Sequence, residues 1–260
     1  MQGASNIKAV YGPVASWRLR RSLGIDPICS KKKACSFNCA YCQLGGGELL
    51  CTRKEFITLK KLETDLKAIE GVKADVVTFS GTGEPTLASN LGKMIDFTRT
   101  ITNLPIAVIT NSSFLPFKEV RQILCKADIV VVKLDAPDEA IFQKINRPCK
   151  GMHFNEYLKA IKTFREEFHG KFALQIMFIE ANKTSADQLA SIAKWIDPDE
   201  IQINTPLRPC MEKALCRTEM EEIKNAFRGL RNVKCVYDAK LPDVEPINLE
   251  EIYKRKRPKP

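Results

Sequence analysis

The sequence predicts an α/β fold, with an open parallel sheet and outer helices curled into a partial (β/α)6 barrel. Three observations predict it. Apolar runs of strand length alternate with segments of helical period along most of the 260 residues. The runs are apolar almost throughout, as strands covered on both faces are. Each run also ends in a small or polar cluster, and the strand C-termini of such sheets are where ligands gather.

The elements follow in order. Leu59, Leu62, Leu66 and Ile69 recur at helical spacing, and Asp75–Phe79 is a short β-branched run. Leu91, Met94, Ile95 and Thr98 mark a helix before the strand Ile106–Thr110. Val120, Ile123 and Leu124 mark the next, before Ile129–Leu134. Phe154, Leu158, Ile161 and Phe168 give a long helix before Phe172–Ile179. Leu189, Ile192 and Ile196 precede Glu200–Asn204, and Met220, Ile223 and Phe227 close the series. With a strand around Leu23–Ile28, this makes six units, too few for the usual closed eight-stranded barrel. A doubly wound open sheet is the alternative.

Residues 1–240 read as one domain, and 241–260 as a Pro-rich, basic C-terminal extension. No long apolar run marks a leader or a membrane span, so the expectation is a soluble cytoplasmic protein without a membrane partner. The formal charge is +10, with a basic run of Lys254, Arg255, Lys256, Arg257 and Lys259. That balance fits a polyanionic partner such as nucleic acid, or simply a solvated Lys-rich surface. Ten cysteines in a chain of this size and class point to reduced thiols and metal ligation rather than to a disulfide framework. Only two histidines are present, His153 and His169, so a His-based metal or acid–base site is not expected. There is no Ser-His-Asp arrangement and no phosphate loop ending in Gly-Lys-Ser or Gly-Lys-Thr.

The informative stretch is Cys35-Ser-Phe-Asn-Cys39-Ala-Tyr-Cys42. Soft thiolates suit iron–sulfur clusters and zinc. Three thiolates on a four-iron cubane leave one iron open, and an open position binds something. The alternative is a structural zinc site with Cys29 as fourth ligand, although its spacing is unlike the paired C-x2-C blocks of zinc ribbons.

The Cys-x3-Cys-x2-Cys spacing, with Tyr41 before the third cysteine, resembles the radical S-adenosylmethionine (SAM) superfamily. Tyr11-Gly-Pro-Val-Ala-Ser, Arg18–Asp26 and Tyr41-Cys42-Gln43-Leu44-Gly45 are similar to a subgroup of uncharacterised iron–sulfur oxidoreductases. That subgroup in turn resembles the archaeal enzymes of wyosine synthesis in tRNA. The resemblance implies a radical-SAM-type barrel and a [4Fe–4S] cluster on Cys35, Cys39 and Cys42. It also implies reductive cleavage of SAM to a 5′-deoxyadenosyl radical, with the protein supplying orientation and exclusion of water. An electron donor such as ferredoxin or flavodoxin is the partner such chemistry implies.

The strand-end clusters would then form the SAM pocket. Gly81, Thr82, Gly83 and Glu84 stand where the family has a Gly-Gly-Glu-like element, and glycine lets a backbone approach a ligand closely. The alternative is an ordinary βα turn. Asn111, after Thr110, is a candidate for the SAM ribose or carboxylate. Lys133 and Asp135 are either ligand contacts or an internal ion pair. Gln175 and Gln202 are further inward candidates that alternation alone does not place. Arg147 and Arg208 are candidate anion holders or surface residues.

A second iron–sulfur cluster has two competing ligand sets, Cys210 and Cys216 with Cys235 and Cys149, or Cys29 with Cys51. Cys125 and Cys235 read instead as buried small hydrophobes. For function, modification of a tRNA base leads, from the wyosine-like Gly-Glu-Pro-Thr and the basic tail. Modification or activation of a protein is the rival within the same chemistry. A non-catalytic iron–sulfur or zinc protein is the rival from another class.

Overall fold

In the computed structural model residues 7–67 and 71–255 are described. Ile69 of the first predicted helix, and Lys256, Arg257 and Lys259 of the basic run, lie outside the described residues. The chain opens with β1 (Val10–Ser16) and β2 (Arg20–Ile25), then α1 (Leu59–Leu66), β3 (Val76–Phe79), α2 (Leu91–Ile101) and β4 (Ile106–Thr110). It continues with α3 (Lys118–Leu124), β5 (Ile129–Lys133), α4 (Glu139–Ile145), α5 (Phe154–Glu167), β6 (Lys171–Met177) and α6 (Ala186–Ile196). It ends with β7 (Glu200–Asn204), α7 (Arg217–Ala226), β8 (Val233–Cys235) and α8 (Leu249–Lys254).

Among the described residues eight strands lie side by side in chain order, β1 antiparallel to β2 and every later pair parallel. Crossovers of one hand between neighbours put the helices on a single face of the sheet. The sheet curls about the other face, giving the expected half-barrel rather than a doubly wound sheet. Val77, Phe79, Val108, Val130, Val132, Leu174, Ile176 and Ile203 are fully or almost fully buried in the main core, with Leu62, Leu91, Ile95, Phe164 and Leu189 of the helices. Because side chains alternate along a strand, their neighbours Thr78, Ile109, Lys133, Gln175 and Asn204 line the concave side.

Three departures from the predicted elements have local causes. β1 carries no unbroken apolar run, because Gly12-Pro13 interrupts it, and its pairing with β2 is irregular between Tyr11 and Val14. The strand expected around Leu23–Ile28 is shifted to Arg20–Ile25. Asp26 ends it there, its Oδ1 accepting from the Ile28 and Cys29 amides in a side-chain-capped turn. β8 is three residues long, too short to show a period, so the parallel run has seven strands rather than six.

The cysteines need two corrections. Cys51 and Cys149 form a disulfide, against the expectation of reduced thiols throughout. The reason is proximity to one loop: Leu50 N–H donates to the Cys35 carbonyl at 3.0 Å, and Cys149 N–H to the Ser36 carbonyl at 3.0 Å. Cys125, expected to be buried, is exposed at the C-terminal end of α3, while Cys235 in β8 is buried as expected.

Part of the C-terminal extension is folded onto the barrel. α8 packs against β1, and Arg255 is completely buried. Its guanidinium donates to Asp26 Oδ2 at 3.1 Å and Glu251 Oε2 at 3.0 Å, and lies 4.3 Å from the centre of the Tyr11 ring. Among the described residues no helix is long and apolar enough to cross a membrane.

Candidate functional site

The predicted strand-end clusters meet at one mouth, and the segment between β2 and α1 lies across it. That segment is pinned in sequence. Ser30 N–H donates to Thr82 Oγ1 at 3.0 Å. Ala34 pairs with Gly83 as an isolated parallel bridge, with Ala34 N–H donating to the Thr82 carbonyl and Glu84 N–H to the Ala34 carbonyl, each at 3.0 Å. Phe37 is buried between Phe142 and Tyr157, ring centres 5.5 and 5.9 Å away. Asn38 N–H reaches the carbonyls of Asn146 and Arg147, and Ala40 N–H that of Ile145. Cys42 N–H closes a turn on the Cys39 carbonyl at 3.1 Å.

Cys35, Cys39 and Cys42 are free, half-buried thiols on this pinned loop. Asn111 Nδ2 donates to Cys35 Sγ at 3.4 Å and to Ser36 Oγ at 3.0 Å. Asn146 Nδ2 donates to Cys39 Sγ at 3.7 Å and to Asp135 Oδ2 at 2.8 Å. Burial, reinforced by the negative charge of Glu84, pushes the Cys35 thiol up to about 12, and burial also raises Cys39. Such sites hold neutral thiols until a metal ion replaces the protons.

The donor set fits a four-iron cluster better than a single ion. Amide donors aimed at the sulfurs are what cluster thiolates accept. Among the described residues no three His, Cys, Asp or Glu side chains converge as ligands of one ion. Thiolates of a cubane sit on separate irons, so such convergence is not what it requires. Cys29, the candidate fourth zinc ligand, is buried and donates its thiol to the Asp26 carbonyl at 3.1 Å.

The Gly-Thr-Gly-Glu turn is built against the loop. A Cβ at Gly83 would stand 1.6 Å from the Ala34 carbonyl oxygen, and one at Gly81 would stand 2.2 Å from Asp26 Cγ. The space these glycines open is therefore taken by the protein's own chain. Thr82 donates both its amide and its hydroxyl to Asp26 Oδ2. Glu84 is 2% exposed, its carboxylate accepting from Thr86 N–H, Thr86 Oγ1, Thr110 Oγ1 and Asn111 N–H. Burial raises its pKa, and the four hydrogen bonds oppose that shift.

On the next strand Lys133 Nζ donates to Tyr41 Oη at 2.6 Å and stands 3.7 Å from Asp135 Oδ2. The Tyr41 hydroxyl donates to Asp135, and burial, followed by the Asp135 charge, holds it well above the usual phenol range. The ion pair weighed for Lys133 and Asp135 is present, and it clamps the tyrosine that precedes Cys42. Asn146 is the residue whose part in the loop was not foreseen. Its signal was its place beside Arg147-Pro148, directly after α4.

Under the loop lies a cavity of about 490 Å³. Tyr41, Cys42 and Gln43 contribute its upper wall, and Lys133, Gln175 and Asn204 the concave sheet. Trp17 and Arg18 from the β1–β2 turn and Arg208 from the segment after β7 complete it, with no acidic side chain in the lining. Gln175 thus lines the cavity; Gln202, its register partner on the same face of β7 as Asn204, is not in the lining and donates to Glu200 at 2.7 Å. Arg208 donates to Gln43 Oε1 at 2.7 Å; Arg147 is not part of the lining and donates to the Lys144 carbonyl. Of the second-cluster candidates, Cys51 and Cys149 are bonded to each other, so neither set is whole as free thiols; Cys210 is half-buried and Cys216 is exposed at the start of α7.

The sequence profile of the Radical SAM superfamily matches residues 31–190. The UPF0026 protein slr1464 of Synechocystis sp. is 42% identical over 238 residues, covering 88% of this chain and 87% of that protein. The UPF0026 protein MJ1312 of Methanocaldococcus jannaschii is 35% identical, covering 82% and 68%. A structure of TYW1 with a lysine-pyruvate adduct bound superposes with a TM-score of 0.64 at 15% identity, covering 85% of this chain and 78% of that one. Native anSMEcpe with bound AdoMet gives 0.63 at 21%, covering 83% and 64%. At these identities the two structures speak for the fold.

Proposed function

The chain belongs to the radical SAM superfamily, and from that premise we propose that it cleaves SAM reductively at a [4Fe–4S] cluster on Cys35, Cys39 and Cys42 to modify a base in tRNA. The observation that carries the reading is the placement of these three free thiols on one pinned loop, with Cys42 opening onto a 490 Å³ cavity at the strand C-termini. When bound, the cluster supplies the electron that splits the sulfonium of SAM.

The protein's own residues do the positioning. Asn111 and Asn146 orient two sulfurs, and Tyr41, held by Lys133 and Asp135, sets the turn that carries Cys42. Gly83 and Glu84 act by holding that loop against β3 and β4, and Gly81 and Thr82 by fixing Asp26 beside it. The concave wall under the loop limits the water that reaches a reactive species.

The tRNA substrate is supported by the formal charge of +10 and by a cavity whose lining holds Arg18 and Arg208 and no carboxylate. The fold shared with TYW1 is consistent with it. A ferredoxin or flavodoxin is the proposed electron donor. Protein reconstituted under inert gas is expected to release 5′-deoxyadenosine from SAM and dithionite. Mass spectrometry of tRNA nucleosides from a deletion strain is expected to show one modified nucleoside lost. An unchanged nucleoside profile rejects the tRNA substrate, and absence of 5′-deoxyadenosine rejects the chemistry.

A further inference from the structure

The Cys51–Cys149 bridge joins two segments separated by 98 residues, and both are bonded to the loop that carries Cys35, Cys39 and Cys42. On one side Leu49 pairs with Cys35 and Leu50 N–H donates to the Cys35 carbonyl. On the other, Cys149 N–H donates to the Ser36 carbonyl, Pro148 pairs with Phe37, and the Asn146 and Arg147 carbonyls receive Asn38 N–H. The loop is thus gripped between two arms, and the disulfide ties the arms together beside it. The two ends of the bridge differ: Cys51 is exposed and Cys149 is 5% exposed.

We propose that Cys51 and Cys149 are a thiol–disulfide exchange site at which a dithiol sets how tightly the Cys35–Cys42 loop is held. A thiolate of the dithiol attacks the accessible Cys51 sulfur, the bond between the two cysteines breaks, and Cys149 leaves as a thiolate that takes up a proton. The second thiol of the dithiol then displaces Cys51 from the mixed disulfide. The protein gains two electrons and two protons, and the dithiol is oxidised to its own disulfide. With the bridge open, each arm keeps its own hydrogen bonds to the loop, but the two arms separate independently, and local opening becomes more frequent.

The exchange stands apart from the proposed function, and only its effect on iron rests on that reading. The test uses the full chain under inert gas, half of it treated with dithiothreitol that is then removed. Peptide mapping after alkylation is expected to show a Cys51–Cys149 cross-linked peptide in the untreated half and two alkylated cysteines in the treated half. Hydrogen exchange at the Asn38 and Ala40 amides is expected to be about tenfold faster after treatment, with the Ile201 and Ile203 amides of β7 unchanged. Cys51→Ser is expected to show the fast rates with or without the dithiol, and wild type before and after treatment makes the same comparison without a substitution.

Air-equilibrated protein in which both cysteines alkylate without reduction would overturn the proposal, as would equal exchange rates in the two halves. After reconstitution, the cross-linked chain should yield iron to a chelator several-fold more slowly than Cys51→Ser. Equal release would remove the link to the cluster, while failure of either chain to take up iron would instead count against the proposed function.

Discussion

The two ends of the half-barrel hold their charges differently: at the mouth Asp26 and Asp135 face Arg255 and Lys133 inside the protein, and Glu84 faces no cation among the described residues. At the strand N-termini, Arg21 and Asp75 pair at 2.8 Å, Arg165 and Asp199 at 3.0 Å, and Glu200 meets Lys171 and Lys234 at 2.7 and 2.8 Å. Each carboxylate there has a cation that keeps contact with water. At the C-terminal mouth, Asp26, Glu84 and Asp135 are all buried. Glu84 has no ion pair among the described residues and is held by two hydroxyls and two amides. Asp135 accepts from the Tyr41 hydroxyl, Asn146 Nδ2 and Met177 N–H. At the floor, the Arg21–Asp75 and Arg165–Asp199 pairs keep contact with water and cost little desolvation, whereas Glu200 is buried and held by two lysines. Buried polar networks such as those at the mouth are expensive, and here each one ends on the loop that carries the thiols.

Substitutions at the two ends should therefore differ in size and in kind. The largest effect is expected from Cys39→Ala, which should lower 5′-deoxyadenosine formation to the level of a no-enzyme control. Its melting temperature should stay within a few degrees of wild type, since the side chain is small and only half-buried. Next comes Gly83→Ala, whose methyl meets the Ala34 carbonyl. Denaturant titration should show a loss of about 3 kcal/mol, and iron content after reconstitution should fall with it.

Glu84→Gln places an amide N–H against the Thr86 and Asn111 amides, which only donate, or obliges the threonine hydroxyls to turn and accept, and about 2 kcal/mol should be lost. Asp75→Asn at the floor should cost under about 1 kcal/mol, with reconstitution unaffected. Its pH dependence has a definite sign. The Arg21 guanidinium holds Asp75 at about 2, below its ordinary 3.8. The contribution of that pair is whole above the ordinary value and is lost as the pH falls through about 2. The melting-temperature gap between wild type and Asp75→Asn should thus be constant near neutrality and close in strong acid. A gap that widens on acidification would reverse the assignment.

Much of this organisation was readable before the structure. Ile106–Thr110 is the strand its apolar run predicts, because burial on both faces leaves an unbroken apolar signature, and Glu200–Asn204 is a predicted strand in which Ile201 and Ile203 alternate with polar residues. The Cys35–Cys42 segment and the polar strand ends were legible from residue type and spacing. What stayed hidden depends on contacts between distant segments. The glycines of Gly81-Thr82-Gly83 suggest closeness to a ligand, yet their nearest neighbours are Asp26 and Ala34. Nothing local to Cys51 or Cys149 announces a bridge across 98 residues. Asn146 and Arg255 act through partners far away in the chain, Cys39 and Asp26, which neither the Arg147-Pro148 neighbourhood nor the basic run reveals.

The central claim is that three thiolates hold the cluster and leave one iron free for SAM. Electron paramagnetic resonance of the reduced, reconstituted chain before and after adding SAM tests this most directly. About four irons per chain are expected, with a spectrum that changes when SAM is added. A cluster whose spectrum is indifferent to SAM, or a colourless chain that takes up only zinc, would contradict it.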